Sequence, residues 1–192
     1  MRLVIGSALV LLCAAVVSPA SAQEDRDRTA CFSLGSENYR DPKFYDTGLA
    51  ACSRIIGSAQ YKTDVKMIAA AYRSRASWKE KKSDLQAALD DYNTSIRMEP
   101  RHVEGYDYRA DVYQRLGDYD KALADYNMAT QIDPSYAAAY YSRGLIYEKQ
   151  GNIDKAREEY NATLAVPTIN RIAQWAQDNA RTRLKALADK KN

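Results

Sequence analysis

Between Val103 and Tyr136 the apolar and small residues fall three and four positions apart. Tyr106, Ala110 and Tyr113 share one face of a predicted helix. Gly117 and Asp118 interrupt the pattern. It resumes with Ala122, Tyr126 and Ala129, and Ile132 lies near its end. Asp133–Pro134 stops this second helix, because the residue before a proline avoids helical angles. The small residues let the two helices approach, and the tyrosines fill the space left between them. The same hairpin recurs on either side with a period of 34: Tyr72, Tyr106 and Tyr140; Tyr92, Tyr126 and Tyr160; Ala88, Ala122 and Ala156. Three units follow, 69–102, 103–136 and 137–170. One hairpin cannot bury its apolar face alone, so the units are expected to stack.

Within each unit an aromatic stands at position 4, a small residue at 8 (Ala76, Ala110, Gly144), alanine at 20 and tyrosine at 24. Pro100 and Pro134 fall at position 32, and Pro167 comes one residue early. This pattern resembles the tetratricopeptide repeat family. In the first unit Lys79 replaces the tyrosine of position 11, with Trp78 beside it. Either helix A of that unit is slightly rotated or Trp78 takes over the packing. The resemblance implies an all-α fold, a right-handed α-solenoid of antiparallel helix hairpins. It also implies a concave groove lined by positions 2, 5, 6, 9, 12 and 13 of each first helix. The residues there include Arg73 and Ser77; Glu104, Asp107, Tyr108, Asp111 and Arg115; and Tyr141 and Leu145. Tyr108, Tyr141 and Leu145 are apolar where no core position requires it, so they are expected to anchor a peptide. The acidic Glu104, Asp107 and Asp111 would favour a basic partner segment. They also argue against the family's carboxylate-clamp subtype, which wants neutral or positive groups there.

Position 7 carries Arg75, Arg109 and Arg143, and position 23 carries Asp91, Asp125 and Glu159. These lie almost opposite in an antiparallel hairpin, so an arginine–carboxylate pair is expected in each unit. Such a pair at a surface contributes about 0–1 kcal/mol. Three separately solvated arginines are the alternative.

The ends of the chain differ from its middle. Met1–Ala22 has one arginine, an apolar run from Leu3 to Val17, and Ala20–Ser21–Ala22, which suits signal-peptidase cleavage after Ala22. The run is shorter than a membrane anchor and breaks at Pro19. Leu11–Leu12 before Cys13 does not fit lipoprotein processing. The expected compartment is the bacterial periplasm, with no stable membrane insertion. Segment 23–68 is read as a degenerate hairpin, with a helix over Lys43–Gly57 and with Thr63 or Asp64 capping the next one. Aligned without gaps to the repeats, Cys52 is read at position 24, and Cys31 falls near the start of a shortened first helix. A Cys31–Cys52 disulfide would staple this hairpin, worth about 3 kcal/mol; two free thiols are the other possibility. Segment 171–192 is read as a capping helix and frayed tail, with Ile172, Trp175/Ala176, Ala180, Leu184 and Leu187 facing inward.

Composition narrows the function. Without Arg2 the chain has 27 basic and 25 acidic residues, a net charge too small to argue for nucleic acid. His102 is the only histidine, so the usual triads and histidine-rich metal sites cannot be built. No phosphate-binding glycine loop is present. Most of the 15 tyrosines fall at core repeat positions. The sequons at Asn93 and Asn161 sit inside predicted helices. No catalytic residue, metal or cofactor is expected. The expected function is a non-catalytic, monomeric periplasmic scaffold that holds a protein or peptide in its groove. An accessory subunit of an envelope enzyme, or a peptidoglycan or polysaccharide binder using Tyr108 and Tyr141, is the alternative.

Overall fold

The computed structural model describes residues 19–33 and 41–189. The proposed leader up to residue 18 and the tail beyond 189 lie outside them. Among the described residues there are nine α-helices and no strand. They are α1 (Pro19–Cys31), α2 (Tyr45–Gly57), α3 (Val65–Lys81), α4 (Leu85–Met98), α5 (Val103–Leu116), α6 (Tyr119–Ile132), α7 (Ala137–Lys149), α8 (Ile153–Ala165) and α9 (Arg171–Asp189). Helices α1 and α2, α3 and α4, α5 and α6, and α7 and α8 form antiparallel hairpins, and each hairpin packs on the next. Helix α9 closes the stack against α7 and α8.

The repeated residues form the interior. Tyr92, Tyr126 and Tyr160, with Ala88, Ala122 and Ala156, are completely buried. Each second helix starts the same way: Asp84, Asp118 and Asn152 accept a hydrogen bond from the backbone N–H three residues on. Asp64 caps α3 in the same manner. The turn before each cap needs a left-handed residue. Gly117 (φ 81°) and Gly151 (φ 77°) supply it, but the first unit uses Ser83 (φ 62°). A side chain costs about 1–2 kcal/mol in that conformation, partly offset in the unfolded chain by glycine's greater freedom. Ser83→Gly should therefore stabilise the protein by about 0.5–1 kcal/mol in urea denaturation. An unchanged or lowered midpoint would show that the left-handed turn is not strained.

All three arginine–carboxylate pairs form. Arg75 donates to both oxygens of Asp91 at 2.8 and 2.7 Å, and Arg109 to both oxygens of Asp125 at 2.7 Å. Arg143 places two nitrogens on the single Oε2 of Glu159, at 3.1 and 2.6 Å. The third nitrogen of each arginine reaches the preceding unit. Arg109 donates to Asn93 Oδ1 and Arg143 to Asn127 Oδ1, both at 2.6 Å, and Arg75 to Ser53 Oγ at 3.2 Å. One guanidinium thus ties three helices together.

Those last contacts give the register of the N-terminal hairpin. Ser53 occupies the place of Asn93 and Asn127, so Cys52 is the equivalent of the position 24 tyrosines. The separation is 22 residues at Arg75 but 16 at Arg109 and Arg143. A longer connector from α2 to α3, with a short 3-10 turn at Ala59–Tyr61, and an earlier start of α3 relative to its repeat position together take up the six extra residues, so the alignment is not gap-free. The Cys31–Cys52 disulfide is present. The place of Cys31 differs from expectation: it is the last residue of α1, not near the start of a first helix. Helix α1 includes Ala20–Ser21–Ala22, so the proposed cleavage point falls within a helical stretch.

Trp78 is almost fully buried, and its indole N–H donates to the Cys31 carbonyl at 3.1 Å. The rotated-helix account of Trp78 does not apply. Trp78 stands at position 10, which Val112 and Ile146 also bury completely in the other units, so α3 is not rotated. Lys79 at position 11 instead reaches Asp91 at 2.7 Å.

Candidate functional site

The first helices α3, α5 and α7 form the wall that carries the groove positions. Core tyrosines reach through to this wall with their hydroxyls. Tyr92 donates to Glu80 (2.6 Å), Tyr126 to Asp111 (2.5 Å) and Tyr160 to Glu148 (2.7 Å). Tyr136, in the turn before α7, donates to Asp107 at 2.8 Å. Packing and wall chemistry are therefore linked: each buried ring holds one wall carboxylate in place. Desolvation and the adjacent carboxylates push the Tyr126 and Tyr136 hydroxyls upward, so they remain donors at any physiological pH.

The predicted groove residues divide into exposed and covered. Asp111 is open to solvent, Tyr108 is half-buried, and Arg115 reaches back to Glu80 of the preceding unit at 3.0 Å. Arg73 is held by Glu99 (2.8 Å) and Ser95 (3.1 Å), so its charge is spent inside the protein. Ser77 is half-buried between its neighbours. Glu104 is half-exposed; His102 Nδ1 lies 3.1 Å from its Oε2 but makes no hydrogen bond. Burial and then the nearby Arg73 lower the His102 pKa, so the imidazole is neutral at pH 7 and leaves the Glu104 charge uncompensated. Tyr108 stands 6.1 Å from Tyr92, ring centre to ring centre.

Three expectations change here. Asp107 is only 7 % exposed and Tyr141 only 5 %. Neither presents a free surface. Tyr141 belongs to the core beneath α9, with Trp175 edge-on to its ring at 5.3 Å. Leu145 packs against the same cluster and is half-buried. The inward stripe expected for α9 is also different: Ala173, Ala176, Gln177, Ala180 and Leu187 are buried, whereas Ile172 (53 %) and Trp175 (54 %) are exposed.

A signal for this was present in the sequence. Extending the 34-residue register by one unit starts a fourth first helix at Arg171. Ala173 and Ala180 then take positions 3 and 10, which are buried in the other units. Arg183 takes position 13 and approaches Glu148 of the preceding unit at 3.6 Å, as Arg115 approaches Glu80. Ile172 and Trp175 take positions 2 and 5, which are groove positions. Helix α9 is therefore a fourth first helix in phase with the others. Its two large apolar residues face outward because they extend the wall.

The centre of the wall is acidic. Asp107 and Asp111 lie one turn apart on α5, with Glu104 one turn before them. Burial, then the charge of Asp111, raises the Asp107 pKa to about 8 despite the opposing bond from Tyr136. The protein packed around Asp111 raises it as well, but that carboxylate keeps its contact with water. The folded Asp107 holds a proton that the unfolded chain releases near pH 3.9. From there up to about pH 8 the group therefore lowers stability as pH rises. Asp107→Asn should stabilise the protein more at pH 9 than at pH 5. A difference in denaturation midpoint that stays constant across that range would contradict the buried, protonated carboxyl.

Among the described residues no group of histidine, cysteine and acidic side chains has the arrangement to hold a metal ion. No helix there is long and apolar enough to cross a membrane. The wall can grip a chain: it offers fixed carboxylates, half-buried rings and apolar side chains along four helices.

Residues 110–151 match the family model described as TPR repeat, and residues 137–166 match that described as Tetratricopeptide repeat. No curated protein matches the chain. Among solved structures it is similar to MamA, with 25% identity and a TM-score of 0.58 over 75% of this chain and 74% of that one. A tetratricopeptide repeat protein from Parabacteroides merdae gives 22% identity and a TM-score of 0.56, covering 81% of this chain and 61% of the other. The second TPR domain of human RPAP3, in complex with an HSP70 peptide, gives 21% identity and a TM-score of 0.51, over 61% of this chain and 98% of that domain. The in-phase hairpins, the two model matches and these shared architectures lead to one conclusion: residues 110–166 carry tetratricopeptide repeats, and the described helices share the fold of such repeat proteins.

Proposed function

We propose that this protein is a non-catalytic scaffold that holds a basic segment of another protein along its concave wall. One observation carries the reading: Asp111 stands open to solvent at the centre of the wall, beside Tyr108, with buried Asp107 one turn before it and uncompensated Glu104 a turn further back. An extended backbone with lysine or arginine side chains complements that surface. The RPAP3 domain is a precedent for a repeat of this architecture occupied by a peptide. The charge of the present wall argues for the opposite sign of ligand from that peptide, SGPTIEEVD.

The exported location belongs to the same proposal. The apolar leader and a disulfide between two buried cysteines both suit an oxidising compartment such as the periplasm. Another envelope protein is then the partner, held by a monomeric scaffold. A sugar-binding role is weaker, because Tyr141, one of the two rings it needs, is covered by α9.

The test is a photo-reactive amino acid at residue 108 in living cells. The expected result is one dominant captured protein, lost when Asp111 is changed to Lys. Capture that is unaffected by Asp111→Lys, or a captured polysaccharide, would reject the reading.

A further inference from the structure

The wall and α9 enclose a cavity of about 190 Å³. It is lined by Val103 and Glu104 of α5, by Tyr136 and Ala137 where α7 begins, and by Ile169 and Ile172. Ile169, just before α9, is 65 % exposed, and Ile172 (53 %) and Trp175 (54 %) within α9 are exposed apolar side chains as well. The lining also carries acidic groups. Glu104 and Asp133 line the cavity, and the Tyr136 hydroxyl connects it to Asp107. The Asp133 carboxylate accepts from the N–H and the hydroxyl of Ser135. Among the described residues no lysine or arginine forms an ion pair with Glu104 or Asp133.

A purely apolar occupant would leave these acidic groups desolvated and unanswered. A small cation would leave the isoleucines in water. One kind of side chain satisfies both halves: a long aliphatic stem that ends in a positive charge. Resting on the reading of the wall as a site for basic segments, we propose that this cavity is the primary subsite for one lysine or arginine of the partner. The stem lies on Ile169 and Ile172, and the charge reaches Glu104. Helix α9, which as a cap would only shield the core, thus selects the ligand. The repeat register agrees with this assignment, because Ile172 and Glu104 stand at the same position of their units with the small Ala138 between them.

The test uses the whole chain and a fluorescein-labelled peptide of alternating alanine and lysine, read by anisotropy at low salt. Three variants are compared: Glu104→Gln, the pair Ile169→Ser with Ile172→Ser, and Asp111→Asn. All four positions are exposed or half-exposed, and thermal melts check that each variant folds. The proposal expects Glu104→Gln and the isoleucine pair each to weaken binding about tenfold. A second peptide replaces lysine by diaminopropionic acid, which keeps the charge and shortens the stem. It should bind more weakly to the parent protein, and the isoleucine substitutions should then have no further effect. If they weaken both peptides equally, stem and isoleucines do not meet and the subsite is wrong. If only Asp111→Asn weakens binding, the basic-segment reading stands and the cavity assignment falls. If no lysine peptide binds, both fall. Dimerisation in sedimentation that disappears with the isoleucine pair would assign these isoleucines to a second copy and overturn the proposal.

Discussion

Arg109→Ala is expected to destabilise the protein by about 3 kcal/mol, several times the value of a surface ion pair. The substitution leaves Asp125, only 6 % exposed, as a buried carboxylate that has lost two hydrogen bonds of 2.7 Å. It also strips Asn93 of the preceding unit of its 2.6 Å donor. Removing Asp125 in the same chain relieves the stranded charge, so Arg109→Ala with Asp125→Ala should cost clearly less than the sum of the two changes. A double-mutant cycle in urea measures this. Additive effects, with a coupling below about 0.5 kcal/mol, would return the pair to the status of two solvated ions. Arg143→Ala should cost less. The longer Glu159 offers one oxygen to both nitrogens rather than a matched fork, and its side chain is 17 % exposed.

Trp78→Ala should be at least as damaging, at about 3–5 kcal/mol. The indole fills the seam between α2 and α3, where it meets Tyr45 at 6.1 Å and leaves no room beside Gly48. A β-carbon on Gly48 would lie 2.3 Å from the indole. Truncation opens a cavity and also removes the only indole donor to the Cys31 carbonyl. The cause can be separated from general damage. Gly48→Ala alone should destabilise by overpacking, about 1–3 kcal/mol, but should be tolerated once Trp78 is alanine. If Gly48→Ala costs the same in both backgrounds, the close approach to the indole does not limit that site.

The middle of the chain is legible because most of its packed positions recur three times. Tyr92, Tyr126 and Tyr160 support one another, and so do Arg75, Arg109 and Arg143 with the carboxylates opposite them. Repetition fails at both ends. Helix α1 has a polar sequence with no apolar stripe, so only the structure shows that Cys31 closes a helix rather than starting one. The longer connector before α3 is likewise unmarked, because no repeated residue falls within it. At α9 two stripes compete, one through Ile172 and Trp175 and one through Ala173 and Ala180. Size favours the first and register the second. The register decides, because the seam against α7 and α8 accepts alanine and the open wall accepts tryptophan. The burial of Tyr141 is hidden for the same reason: with α9 read as a simple cap, nothing in the sequence places Trp175 against its ring.

The two tryptophans therefore sit in opposite settings. Trp78 is sealed against a disulfide, which quenches indole emission, and Trp175 stands half in water at the edge of the wall. The oxidised molecule is therefore expected to emit mainly from Trp175, on the wall proposed to meet a partner. Chemical reduction would light Trp78 separately, so one unlabelled sample can report occupancy and redox state in two distinguishable bands.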